Sequence, residues 1–189
     1  MHTFIEQSEQ KKISYFNIRR HPAMRSFCRT FRKCYVSCLK KGITPVLLCI
    51  GSDRATGDCL GPLVGHKLHA ADCPLIVYGT LRMPIHAGNL PETIKEIHET
   101  FPNSHIIALD ASLGIDKHVG YVTMGTGNLY PGIGVNKVLP QVGDTFITGI
   151  VNSLGGNSHV TLQTTHLSMV MELADFIADG IIKATKFHY

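Results

Sequence analysis

No apolar run in this 189-residue chain approaches the roughly 18–20 residues that a membrane helix requires. The first residues, Met1-His2-Thr3-Phe4-Ile5-Glu6-Gln7, lack the basic-then-apolar pattern of a secretory leader, so the expected location is intracellular. No C-x-x-C pair occurs among the cysteines at 28, 34, 38, 49, 59 and 73. Their spacing is neither that of a zinc site nor that of a disulfide framework, and they read as small buried or half-buried apolar residues. The chain shows no internal repeat, no low-complexity tract and no sign of a second globular unit. The remaining composition, 44% apolar and 17% charged, suits one domain with a real core.

Two phosphate-binding signatures are also missing. Gly51 and Gly57 have five residues between them where a P-loop has four, and Asp58 stands where its lysine would be. The dinucleotide fingerprint G-x-G-x-x-G does not occur. A carboxylate repels phosphate, so the glycine-rich stretch from Gly51 to Gly61 presents an acid rather than cradling an anion.

What the chain does have is an organising stretch, Val46 to Pro62. It begins as the apolar run Val46-Leu47-Leu48-Cys49-Ile50, passes through a polar turn and continues into Leu63, Val64 and Leu68 at helical spacing. That is a buried parallel strand, a loop and a helix. Sites in open α/β sheets collect at the carboxyl ends of such strands.

Further strands are expected at 75–78, 105–109, 119–124 (antiparallel) and 145–151. Helices are expected from Pro22 to Gly42, from Gly61 to Ala70, from Asn89 as a cap to Phe101, and after His166. Residues 1–17 read as a polar tail. The stretch 125–144, rich in Gly, Asn and Pro, is a long loop of the kind that closes over a substrate. Charge divides the chain. Residues 1–42 carry ten Lys/Arg against Glu6 and Glu9, while the remainder is net acidic. The expected division is therefore a basic arm and amphipathic helix at 1–42 and an α/β domain at 43–189. The basic helix face is either a solvated surface or a dock for an acidic partner, nucleic acid or anionic lipid.

Three chemistry-bearing residues stand at element ends: Asp58, Asp110 and His166. Two carboxylates near one another push their pKa values apart, so that one holds a proton while the other activates water. With an imidazole added, the set could hold a divalent metal. The blander readings are that both acids shape turns and that His166 only starts a helix. Asp53 reads as a turn residue. Cys59 has no base indicated beside it, and His86, His105, His118 and His159 read as surface or structural histidines.

Gly57-Asp58-Cys59-Leu60-Gly61-Pro62 and Leu109-Asp110-Ala111-Ser112-Leu113-Gly114 resemble the YyaC sporulation protein family of spore-forming Firmicutes, over roughly residues 44–185. That family in turn is similar to the spore germination protease and the hydrogenase-maturation endopeptidases. The germination protease's Thr-Pro-Asp-Ala-Leu-Gly-Pro aligns with Thr56–Pro62, and its Asp-Ala-Leu with Asp110 to Leu113. The resemblance implies a three-layer α/β/α sandwich with a mostly parallel sheet, phosphorylase/hydrolase-like and in particular maturation-endopeptidase-like. It implies Asp58 and Asp110 as catalytic acids. It also implies, after the maturation enzymes, a divalent metal (Zn, Ni or Mn) on Asp58, Asp110 and His166.

The expected function is then a sporulation-associated peptidase, acting in the cytoplasm, forespore or spore on a protein or peptide substrate. It would be either an acid protease or a metal-dependent endopeptidase. The alternatives are a non-catalytic sporulation protein using the fold as a binding module, a nucleic-acid binder resting on the basic helix, and a hydrolase of a non-peptide amide.

Overall fold

A run of five apolar residues from Val46 to Ile50, all buried, needs cover on both faces, and the fold supplies it. The computed structural model describes residues 13–131 and 141–186. Among these the strands are β1 (Ile13–Asn17), β2 (Thr44–Cys49), β3 (Ile76–Tyr78), β4 (Ser104–Gly114), β5 (Tyr121–Thr126) and β6 (Thr145–Ser153). They form one sheet in the order β1-β5-β6-β4-β2-β3. The β3, β2, β4 and β6 strands are mutually parallel, while β5 and β1 are antiparallel additions at one edge.

The helices are α1 (Pro22–Lys40), α2 (Leu60–Ala70), α3 (Leu90–Thr100), α4 (Ser158–Gln163) and α5 (Leu167–Thr185). Alternation along the strands assigns the layers. Leu47, Cys49, Ile107, Leu109 and Ile147 pack with α1, α2 and α5 on one face. Val46, Leu48, Ile106 and Ala108 pack with Leu90 and Ile97 of α3 on the other. The result is the expected three-layer α/β/α sandwich.

Close backbone approach fixes α2 against the sheet. A Cβ on Gly61 would collide with the Ile50 carbonyl, and one on Gly65, a turn later, with the Gly79 carbonyl. Backbone cannot step aside as a flexible side chain can, so this helix face must be bare. That docking holds the residues just before α2 over the end of β2.

The structure differs from the sequence expectations in four places. Residues 13–17 are not tail but an edge strand paired with β5. Only Phe16 of that strand is buried, so five residues gave too little alternation to show. The β4 strand does not end before Asp110 but runs on to Gly114, because β6 continues to pair with it after β2 has ended. The loop after β6 contains the short helix α4, capped by Asn157, whose side-chain oxygen accepts from the His159 and Val160 amides. Asn89 precedes α3 but does not cap it with its side chain. That side chain accepts from the His86 amide and donates to the Pro84 carbonyl, holding the preceding turn.

The flanks of the 125–144 segment meet through a Leu129–Val142 bridge on the α3 side of the sheet. Its middle, 132–140, lies outside the described residues, and the expected closure over a substrate falls there.

Candidate active site

The β2 strand delivers the chain to the carboxyl edge of the sheet and Gly51 turns it. At φ +146° Gly51 has a backbone that side-chain-bearing residues rarely adopt, and a Cβ there would strike the Asp58 carbonyl. The Ser52 amide donates to that same carbonyl at 3.1 Å, and the Asp58 amide donates to Ala55 at 2.9 Å. The loop thus folds back on itself, and Asp58 sits in a single 3₁₀ turn, Thr56–Cys59, immediately before α2. The second acid, Asp110, arrives along β4. Ile106, Ala108, Asp110 and Ser112 share the α3-side face by alternation, and Asp110 is the first residue past the point where β2 stops pairing. A break in register between Ser112 and Leu113 follows at once. Such bulges recur beside sites because they re-aim side chains.

Asp58 and Asp110 line one cavity of about 480 Å³, together with Ser52, Arg54, His86, Ser112, His159 and Gln163. That volume falls within the range of small-ligand and substrate pockets. Asp110 is 7% exposed, and its Oδ1 accepts the Ala111 amide at 2.8 Å. Burial raises the Asp58 carboxyl above the ordinary carboxylate range, and the Ser52 amide and the positive potential of His86 and His159 pull it partly back.

The two imidazoles beside the acids are therefore His86 and His159. His86 Nδ1 accepts the Gly88 amide at 3.1 Å, which leaves Nε2 as the donor of the neutral ring. His166 is exposed and occupies the N-cap position of α5, outside the residues lining the cavity. Among the described residues, Asp58, Asp110 and His166 do not form a group whose ligand atoms lie within 4.8 Å of one another. The metal set implied by the resemblance is not gathered in this geometry.

Sequence patterns had little to offer for His86 and His159. His86 follows Ile85, whose parallel bridge to Ile50 is one residue long. His159 rides on a six-residue helix, too short for periodicity to show.

The raised Asp58 carboxyl has a measurable consequence. A carboxyl whose pKa is higher folded than unfolded contributes stability below the ordinary carboxylate value, near 3.9, and loses it as pH rises through the folded value. Asp58→Asn removes the buried charge at neutral pH. The variant is expected to melt above the wild type at pH 7, with the gap closing as pH falls toward the ordinary carboxylate value. A gap that stays constant across thermal melts over that range would contradict burial as the cause.

The fold and cavity together define a class: an α/β/α protein with two acids lining one cavity at the carboxyl edge of a mostly parallel sheet. Comparison with known proteins narrows this. The chain belongs to the family described as "Protein of unknown function (DUF1256)", which matches residues 16–180. It is 49% identical over 137 residues to a Bacillus subtilis (strain 168) protein described as "Uncharacterized protein YyaC", covering 72% of this chain and 67% of that one. Among solved structures it is similar to the [NiFe] hydrogenase maturation protease HycI from Thermococcus kodakarensis KOD1. That match has 19% identity and a TM-score of 0.49, covering 76% of this chain and 93% of the other. No helix among the described residues is long and apolar enough to cross a membrane.

Proposed function

We propose that the chain is a peptidase that hydrolyses a protein or peptide bond with a water activated between Asp58 and Asp110. The observation that supports this most is the convergence of the two acids, 52 positions apart in sequence, on one substrate-sized cavity at the carboxyl edge of the sheet. The motifs around them, Thr56–Pro62 and Asp110–Gly114, point the same way.

In this mechanism one acid holds a proton and the other does not. Asp58, its carboxyl raised by burial, is assigned the proton. Asp110 is assigned the base. It takes a proton from water as the water oxygen attacks the scissile carbonyl carbon. Asp58 then protonates the departing amide nitrogen, giving one new carboxyl and one new amine. The Nε2 donor of His86 and the side chain of His159 are suited to stabilise negative charge developing on the carbonyl oxygen. The exposed basic residues of α1, among them Arg25, Arg29 and Lys33, are assigned to docking an acidic partner, and the place of action to the cytoplasm, forespore or spore.

The test is cleavage of a spore-protein extract and a peptide library by the purified chain in ¹⁸O-labelled water. New C-termini carrying the label are expected. Retention of a peptide in the cavity with no cleavage would replace the peptidase by a binding module. Release of ammonia or a small amine without chain scission would make it an amidase of another kind.

A further inference from the structure

The edge of the sheet opposite Asp110 carries a second cluster. Cys34 and Cys38 lie one turn apart on α1, and His105 enters from the second position of β4. The two Sγ atoms and a ring nitrogen of His105 all lie within 4.8 Å of one another, the only such group of three among the described residues. Cys34 Sγ stands 3.6 Å from His105 Nε2. A tetrahedral metal about 2.3 Å from sulfur and about 2.0–2.1 Å from nitrogen sets its two ligand atoms about 3.6 Å apart, so this pair is already spaced as one edge of a zinc tetrahedron.

The surroundings of the histidine suit the same use. Its Nδ1 faces Asp144 Oδ2 at 3.9 Å, and that oxygen is held by the Ile106 amide at 2.8 Å. A carboxylate on that side of the ring favours a proton on Nδ1, which would leave Nε2 the nitrogen available to a metal. Thr145 Oγ1 lies 2.9 Å from Nε2 and 3.7 Å from Cys34 Sγ, and a bound metal would displace this hydroxyl from the ring nitrogen. A cavity of about 690 Å³ opens on Cys34, Cys38 and His105, with Arg29, Lys33 and Lys41 around it. Of these, Lys41 pulls the Cys38 thiol down, and burial outweighs it.

We infer that Cys34, Cys38 and His105 form a binding site for a thiophilic divalent cation, Zn²⁺ above all, with a fourth position open to the cavity. Two sulfurs and an imidazole disfavour magnesium and calcium, which take oxygen ligands. The spacing of the cysteines alone excluded such a site; folding brings in the histidine that spacing cannot show. Burial lifts both thiols, Cys38 to about 11, so that without a metal neither is poised as a nucleophile.

The test uses the full reduced chain and Co²⁺ as the probe. A thiolate-to-cobalt charge-transfer band, with the visible absorption of tetrahedral Co²⁺, is expected to saturate at one ion per chain and to vanish on adding equimolar Zn²⁺. The band should be lost in Cys34→Ser and Cys38→Ser and kept in Asp58→Asn, which separates this site from the acid pair. Absence of the band in the wild type at saturating Co²⁺ would overturn the inference, as would its persistence in the double serine variant. Should the variants misfold, alkylation of the wild type mapped by mass spectrometry decides. Zn²⁺ must shield Cys34 and Cys38 while leaving Cys28, Cys59 and Cys73 reactive, and equal reactivity with and without Zn²⁺ would overturn the site.

Discussion

Asp110→Asn is expected to slow peptide hydrolysis by about 10²–10⁴-fold, the usual contribution of a general acid or base. Asparagine keeps the Oδ1 atom that accepts the Ala111 amide, so the local backbone of β4 has no reason to move. What disappears is the ability to take a proton from water. The loss should therefore lie in turnover, with KM for the substrate little changed. Asp58→Asn should lose a comparable factor while melting higher than the wild type at neutral pH. That opposite movement of rate and stability is the signature of a group held in a buried site for its chemistry. Full activity in Asp110→Asn, measured with labelled-water incorporation at matched folding, would remove the acid pair from the mechanism.

Phe27→Ala is expected to destabilise the protein by about 3–5 kcal/mol, the range for deleting a buried aromatic ring. Phe27 is fully buried on α1, with ring centroids of Phe16, Phe31 and Phe176 at 5.4, 6.3 and 5.5 Å. Gly180 of α5 lies against its ring so closely that a Cβ there would clash. The void has little to collapse into it, because its walls belong to β1, α1 and α5 at once. The midpoint of thermal unfolding should fall by on the order of 10 °C. It should fall in a single transition, since these residues share one core cluster with Leu47, Leu109 and Ile147. Two separate transitions, with only the first shifted, would show that α1 unfolds on its own.

The layers and the acids were legible because each rests on a pattern that local sequence carries. Val46–Ile50 announces a covered parallel strand, and the polar turn after it announces the sheet's carboxyl edge. Met24, Phe27, Phe31 and Cys38 at helical spacing give the inward face of α1. The histidines of the cavity were not legible, because His86 and His159 reach Asp58 through one bridged residue and one short helical turn. Neither device leaves a periodic trace. The extension of β4 past Asp110 was hidden for a related reason. Ala111-Ser112-Leu113-Gly114 has weak strand character, and what keeps it extended is β6 alongside it. The Cys34, Cys38 and His105 cluster joins residues 71 positions apart and depends wholly on the packing of α1 against the sheet.

The small strand β1 has a protective role that its five residues conceal. An unpaired strand edge is a template for other chains. At the far side of the sheet, β3 limits that risk by being three residues long. At this side β5 would otherwise offer an unpaired backbone edge from Tyr121 to Gly125. By zipping along it from Ile13 to Asn17, β1 moves the exposed edge outward to a strand whose own inward contact is the one ring of Phe16. A shortened chain beginning near Arg20 would keep α1 and both acids of the cavity and lose this cover. Its characteristic failure would be self-association through β5, an aggregation problem rather than a catalytic one.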